Sequence, residues 1–112
     1  MPRSIKKLGA AISIAKNRQQ KAIAYYNLGL FHDNNAREAE AIPNYEMALR
    51  LGLGKDSKSK ALAWLASSLY KTGKLAEALK RVEQSQRIAS HDLLGFLNGL
   101  KKRIEKSIRS RK

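Results

Sequence analysis

The chain has 112 residues, with 23 Lys or Arg against 9 Asp or Glu, for a net charge of +14. Hydrophobic residues make up 43%, enough for a modest core, with about two-thirds of the unfolded surface buried at this size; full disorder is excluded. Cysteine is absent, which excludes a disulfide framework, a cysteine nucleophile and thiolate metal sites. No apolar run approaches the roughly 20 residues that span a bilayer, and "LGAAISIA" is too short for a signal core, so a cytoplasmic single domain over 1–112 is expected.

The charge is uneven. Arg3, Lys6, Lys7, Lys16, Arg18 and Lys21 fall in residues 1–21 without an acid. Residues 101–112 hold seven basic residues against Glu105 alone. The stretch between is nearly balanced. Basic ends attract acidic partners, nucleic acid included, by sequence-independent electrostatics; the plainer reading is a solvated, solubilising surface.

In chain order, apolar periodicity predicts helices at 4–16, 19–33, 36–51, 57–72, 75–89 and 91–109. No segment alternates as a strand does. The first helix presents an apolar side of Ile5, Leu8 and Ile12. "DNN" at 33–35 and "TGK" at 72–74 break paired helices. Pro43 falls inside the third segment, where local distortion is expected. Gly52 and Gly54 read as C-terminal caps, Asp56 or Ser57 as the next N-cap, and Ser90 as the last one. Glu38, Glu40 and Glu77 suit helix starts, where carboxylates face the positive end of the helix dipole. Gly95, in the last helix, reads as a close helix crossing.

An offset of 37 superposes much of this pattern. Ala24 pairs with Ala61, Leu28 with Leu65, Gly29 with Ala66, Ala41 with Ala78, Ile42 with Leu79, Tyr45 with Val82 and Leu51 with Ile88. Backwards, Ile5 pairs with Ile42, Leu8 with Tyr45, Ala11 with Ala48, Ile12 with Leu49 and Ile14 with Leu51. Residues 4–16 therefore read as the second half of a repeat, followed by repeats at 19–52 and 57–89 and a terminal helix at 91–109. Small residues sit where paired helices must approach, and large apolar ones fill the space between.

"AYYNLGLFHDNNAREAEAIPNYEMALRLG" resembles the tetratricopeptide repeat. Tyr25, Leu28-Gly29, Ala41, Tyr45 and Ala48 stand at that family's spacing. "LAWLASSLYKTGKLAEALKRVEQSQRIA" keeps Leu65, Ala66, Leu69, Gly73, Leu75 and Ala78. It carries Leu62 for the signature aromatic and Ser85 for the late alanine. Ala36 and Glu38 stand where the family prefers Gly and an aromatic. The resemblance implies an all-α fold, a right-handed αα superhelix of helix–turn–helix units with a C-terminal capping helix. It also implies a concave groove that binds a peptide or helix of a protein partner. Its ligand-facing positions here are Ile23, Tyr26, Leu30 and Asn34, then Lys60, Ala63, Ser67, Tyr70 and Lys71. Leu97, Leu100 and Ile104 add to the groove or pack inside. Some relatives hold a C-terminal carboxylate with paired Lys and Asn; Tyr26, Leu30, Ala63 and Ser67 occupy those places, so that clamp is not expected.

No enzyme is expected. His32 and His91 lie outside any metal-ligand spacing, and His32 stands at a packing position. "GLG" at 52–54 lacks a phosphate-loop context. No cofactor is called for. Trp64 is read as buried against the next repeat rather than as a binding anchor. The open side of residues 4–16 predicts a cover, most simply a second copy, hence a homo-oligomer. Nucleic acid is the alternative partner, though no aromatic interleaves with the C-terminal basic run to stack bases.

Overall fold

The computed structural model describes residues 5–111. Ser4, where the first helix was expected to begin, and the charged Arg3 and Lys112 lie outside them. Among the described residues six α-helices follow one another: α1 Ile5–Ile14, α2 Arg18–Asn34, α3 Glu38–Leu51, α4 Lys55–Lys71, α5 Leu75–Ile88 and α6 His91–Ser110. They fall into two compact units, residues 1–53 and 54–112.

In the first unit α2 packs on α3, and α1 packs on α2. Asn17 starts α2: its side chain accepts from the Gln20 N–H at 2.8 Å, relieving an otherwise unpaired helix-end donor. Ala22, Ala24, Gly29 and His32 give α2 its buried face. Gly29 is forced by packing, because a Cβ there would lie 2.7 Å from two ring carbons of Tyr45. The Tyr45 ring is fully buried, and its hydroxyl donates to the Asp33 carboxylate at 2.9 Å. Arg18 closes the other end of the pair. Its Nε donates to the Leu51 carbonyl at 2.9 Å and its Nη2 to the Arg50 carbonyl at 3.2 Å. A cation thus sits on the negative end of α3.

The helix-pair turns repeat at the same offset. Arg37 N donates to the His32 carbonyl at 2.8 Å, and Lys74 N to the Leu69 carbonyl at 2.8 Å. These bonds span five residues and take a left-handed residue just before the donor, a Schellman closure. That residue is Gly73 with φ 83° in the second repeat and Ala36 with φ 57° in the first. Ala36 therefore lies in the turn, not in the helix expected from residue 36.

Several other expectations change. Helix α4 begins at Lys55, so Gly54 is its N-cap and Asp56 lies in its first turn; neither Asp56 nor Ser57 caps it. Gly52 ends α3 with φ 106°, as expected of a terminator. Ser90 holds the N-cap position of α6 but makes no side-chain cap bond. Helix α3 runs unbroken through Pro43, so the expected distortion does not interrupt it. The Pro43 ring projects on the exposed side, and the Asn44 side chain donates to the Glu40 carbonyl at 2.9 Å in the same turn. Gly95 is exposed, and a Cβ there would meet nothing within 4 Å among the described residues, so it marks no helix crossing. On α1 the open side also differs. Leu8 is buried at 3% exposure, whereas Ile5 is 49% and Ile14 75% exposed.

In the second unit α4 packs on α5, and α6 on α5 with a smaller contact to α4. Leu65, Leu69, Val82, Leu97, Leu100 and Ile104 are fully buried. Burial of each such side chain is worth about 1.5–3 kcal/mol before chain entropy is counted. Ser85, where the related family prefers alanine, donates from Oγ to the buried Ser59 carbonyl at 2.7 Å and ties α5 to α4. Lys101 Nζ reaches the Glu83 carboxylate at 3.3 Å, and Gln86 Nε2 donates to Asn98 Oδ1 at 2.9 Å, linking α5 to α6.

Two outcomes are expected. Ala36→Gly should stabilise the chain by about 1 kcal/mol by removing the left-handed strain, read as a shift in the urea midpoint. Tyr45→Phe should cost roughly 1.5 kcal/mol at neutral pH, the weight of a bond to a charged acceptor. Burial first, then the Asp33 charge and the bond to it, push the Tyr45 phenol far above its ordinary range. The folded chain then keeps a proton that the unfolded chain releases above roughly pH 10. Tyr45's contribution is present in full below that pH and is lost as pH rises. The stability gap between wild type and Tyr45→Phe should therefore shrink between about pH 9 and 11 in urea titrations.

Candidate protein-binding surface

Helix α2 sets the outward row of the first unit. Ile23, Tyr26, Leu30 and Asn34 recur every three or four residues, so they share one face. Ile23 is 43% exposed, Tyr26 and Leu30 are half-buried, and Asn34 is exposed at the helix end. Tyr26 also serves the core, with its ring centroid 6.1 Å from that of Tyr45 at a tilt of 47°.

The same row on α4 is less complete. Lys60 is exposed and pairs with Asp56 at 3.2 Å one turn before it. Ser67 and Tyr70 are half-buried, and Lys71 is exposed. Ala63 is fully buried, which corrects its expected place on the surface: its methyl is interior packing. Leu97, Leu100 and Ile104 are likewise interior; helix periodicity turns all three into the core of the second unit. Trp64 is half-buried and meets Phe96 of α6 edge-to-face, centroids 5.3 Å apart at 68°. Its cover is the terminal helix, and Phe96 itself keeps 38% exposure.

An open groove of about 380 Å³ lies in the first unit. Ala11, Ile14 and Ala15 of the α1 end line one wall, and Ile23, Ala24 and Asn27 of α2 line the other, with Lys16 and Gln20 at the turn between. Of these residues the sequence singles out only Ile23 as ligand-facing, and it does so for the concave groove of the first helices rather than for this one. The signal for the α1 wall is the half-repeat pairing of Ala11 with Ala48 and Ile14 with Leu51.

The remaining polar groups are structural. His32 is buried, and its Nδ1 has no hydrogen-bond partner among the described residues. It fills the place that the fully buried Leu69 fills in the second repeat. Among the described residues no group of His, Asp and Glu is placed to hold a metal ion. None of their helices is long and apolar enough to cross a membrane. The basic end of α6 leaves Lys102, Arg103, Lys106 and Arg109 exposed, while Lys101 is engaged by Glu83.

Comparison with known proteins fits this geometry. No curated protein matches the chain. A family model described as "Tetratrico peptide repeat" matches residues 22–104, from the first turns of α2 to the buried Ile104 of α6. With paired helices, recurring turns and small residues at the helix contacts, the chain belongs to the tetratricopeptide repeat family.

Proposed function

We propose that the chain is a non-enzymatic protein–protein interaction module. It holds a peptide or helix of a partner against the outward face of a repeat's first helix, above all that of α2. The observation that carries this reading is the α2 face: an exposed isoleucine, two half-buried groups and a terminal amide in one row on a rigid helix pair. An exposed apolar side chain in line with half-buried ones on one helix face fits helix-in-groove recognition. Family membership supports a protein partner in general terms. Tyr26 and Tyr70 supply aromatic area on α2 and α4, and Lys71 a polar rim.

A second reading rests on α6. Lys102, Lys106 and Arg109 lie one turn apart on its exposed side. Such a row neutralises phosphates without reading bases. It would make the chain a nucleic-acid-associated protein.

The two are separable. Capture of protein partners by the tagged chain at moderate salt should fall with Tyr26→Ala and Tyr70→Ala and persist with Lys102→Glu, Lys106→Glu and Arg109→Glu combined. The opposite pattern overturns the first reading. Micromolar RNA or DNA binding, lost steeply with salt and abolished by the combined reversal, establishes the second. Charge reversal is preferred to trimming residues 101–112, because removal of the buried Ile104 would open the core.

A further inference from the structure

The groove between α1 and α2 has a counterpart that shows what fills it. In repeat register α1 corresponds to α3: Leu8 to Tyr45, Ala11 to Ala48, Ile14 to Leu51. Within the first unit α3 has α2 packed on it, and Tyr45 and Ala48 are fully buried. Among the described residues no helix stands to α1 as α2 stands to α3. Ala11 keeps exposure where Ala48 has none, and Ile14 is 75% exposed. The open groove of about 380 Å³ lies along this uncovered side of α1, with Ile23 of α2 as its far wall. Its shape is that of a helix seat, small at Ala11, Ala15 and Ala24 and apolar at Ile14 and Ile23.

Charge selects the occupant. Residues 1–21 carry six basic residues and no acid, and Lys16 stands in the groove wall. Arg18 is engaged with the α3 carbonyls, which leaves Lys16, the cation that lines the groove, to face an incoming segment. A second copy docked through the same face would place two acid-free basic stretches against each other, because a two-fold interface meets itself. An acidic segment meets the opposite sign.

The geometry points to an interaction surface beyond the α2 and α4 faces: the α1–α2 groove seats an amphipathic helix supplied by a partner protein, apolar toward Ile14 and Ile23 and acidic toward Lys16. The occupant completes the helix pair that α1 alone leaves half-made. This rests on the protein-binding reading only in taking the partner to be a protein.

The probe is a synthetic peptide of the α2 sequence, residues 18–34, with Arg18, Gln19 and Lys21 each replaced by Glu. The unmodified peptide and a scrambled peptide of equal charge are the controls. Titration is followed by fluorescence anisotropy of the labelled peptide against the full chain. Saturable binding of the acidic peptide, tighter than either control, is expected. Ile14→Asp and Lys16→Glu should each weaken it by roughly tenfold, as loss of a central anchor does. Ile14→Asp should leave the circular dichroism and the urea midpoint unchanged, since its side chain is exposed in the free chain. Tyr26→Ala should leave this binding intact, so failure here and failure of the α2-face reading remain distinct. Equal binding of the scrambled peptide, or no binding up to about 1 mM, a level at which a specific contact would be worth only about 4 kcal/mol, overturns the inference. So does a concentration-dependent dimer in sedimentation that Ile14→Asp converts to monomer, because the occupant is then a second copy.

Discussion

The approach of α2 to α3 at Gly29 is the constraint on which the N-terminal unit depends. A glycine there admits the flat face of Tyr45, and the ring then carries its hydroxyl to Asp33 near the end of α2. One residue without a side chain thus fixes helix distance, ring position and a charge-assisted bond. Asp33 lies inside the Schellman closure, where its carbonyl accepts from the Ala36 N–H at 3.1 Å, so the same contact steadies the turn into α3. The second unit solves the problem differently. Ala66 and Val82 stand where Gly29 and Tyr45 do, and a buried hydroxyl bond from Ser85 to the Ser59 carbonyl replaces the tyrosine–carboxylate link. Two units of one pattern are held by different polar clasps on the same small-residue contacts.

The division of labour between core and surface follows from these contacts. Each helix turns its small and apolar residues toward its pair, so the charge is left outside. Where no described helix covers one side of a helix, apolar residues stay exposed, as Ile5 and Ile14 do on α1, which packs on α2. The groove between α1 and α2 is therefore a consequence of repeat packing, left where no further described helix covers α1. In the proposed reading Lys16 in its wall selects the partner by charge and does not make the seat.

The fold was legible in the sequence because its signals are local and repeated. The 37-residue offset, the turn residues and the small positions each identify helix–turn–helix units without reference to distant contacts. Misreadings cluster where one residue type serves two roles. Gly54 reads as a terminator but starts α4, and Asp56 reads as a cap but sits within the first turn. Gly95 reads as a crossing but is exposed, because nothing in a lone glycine says whether a neighbour approaches. Ala36 reads as helix but takes the left-handed turn position that Gly73 takes, and the turn bonds override its preference. The candidate surface was half legible. The pattern showed that α1 has an open side but not which residues lie on it, since Leu8 is buried and Ile14 exposed. Burial of Ala63 was not visible, and that of Leu97 and Ile104 was left open, because family position does not say which neighbour covers a side chain. The bonds of Arg18 and Ser85 join residues 33 and 26 positions apart, beyond any periodic signal.

The central claim is that partners are bound by the helix faces of the first unit rather than by the basic ends. Hydrogen exchange of the chain captured with a protein partner, set against the chain alone, tests it directly. Exchange reads local opening amide by amide. The account predicts added protection concentrated in residues 11–34, where the groove and the outward row of α2 lie. Protection confined to residues 101–111, with residues 11–34 unchanged, would contradict it.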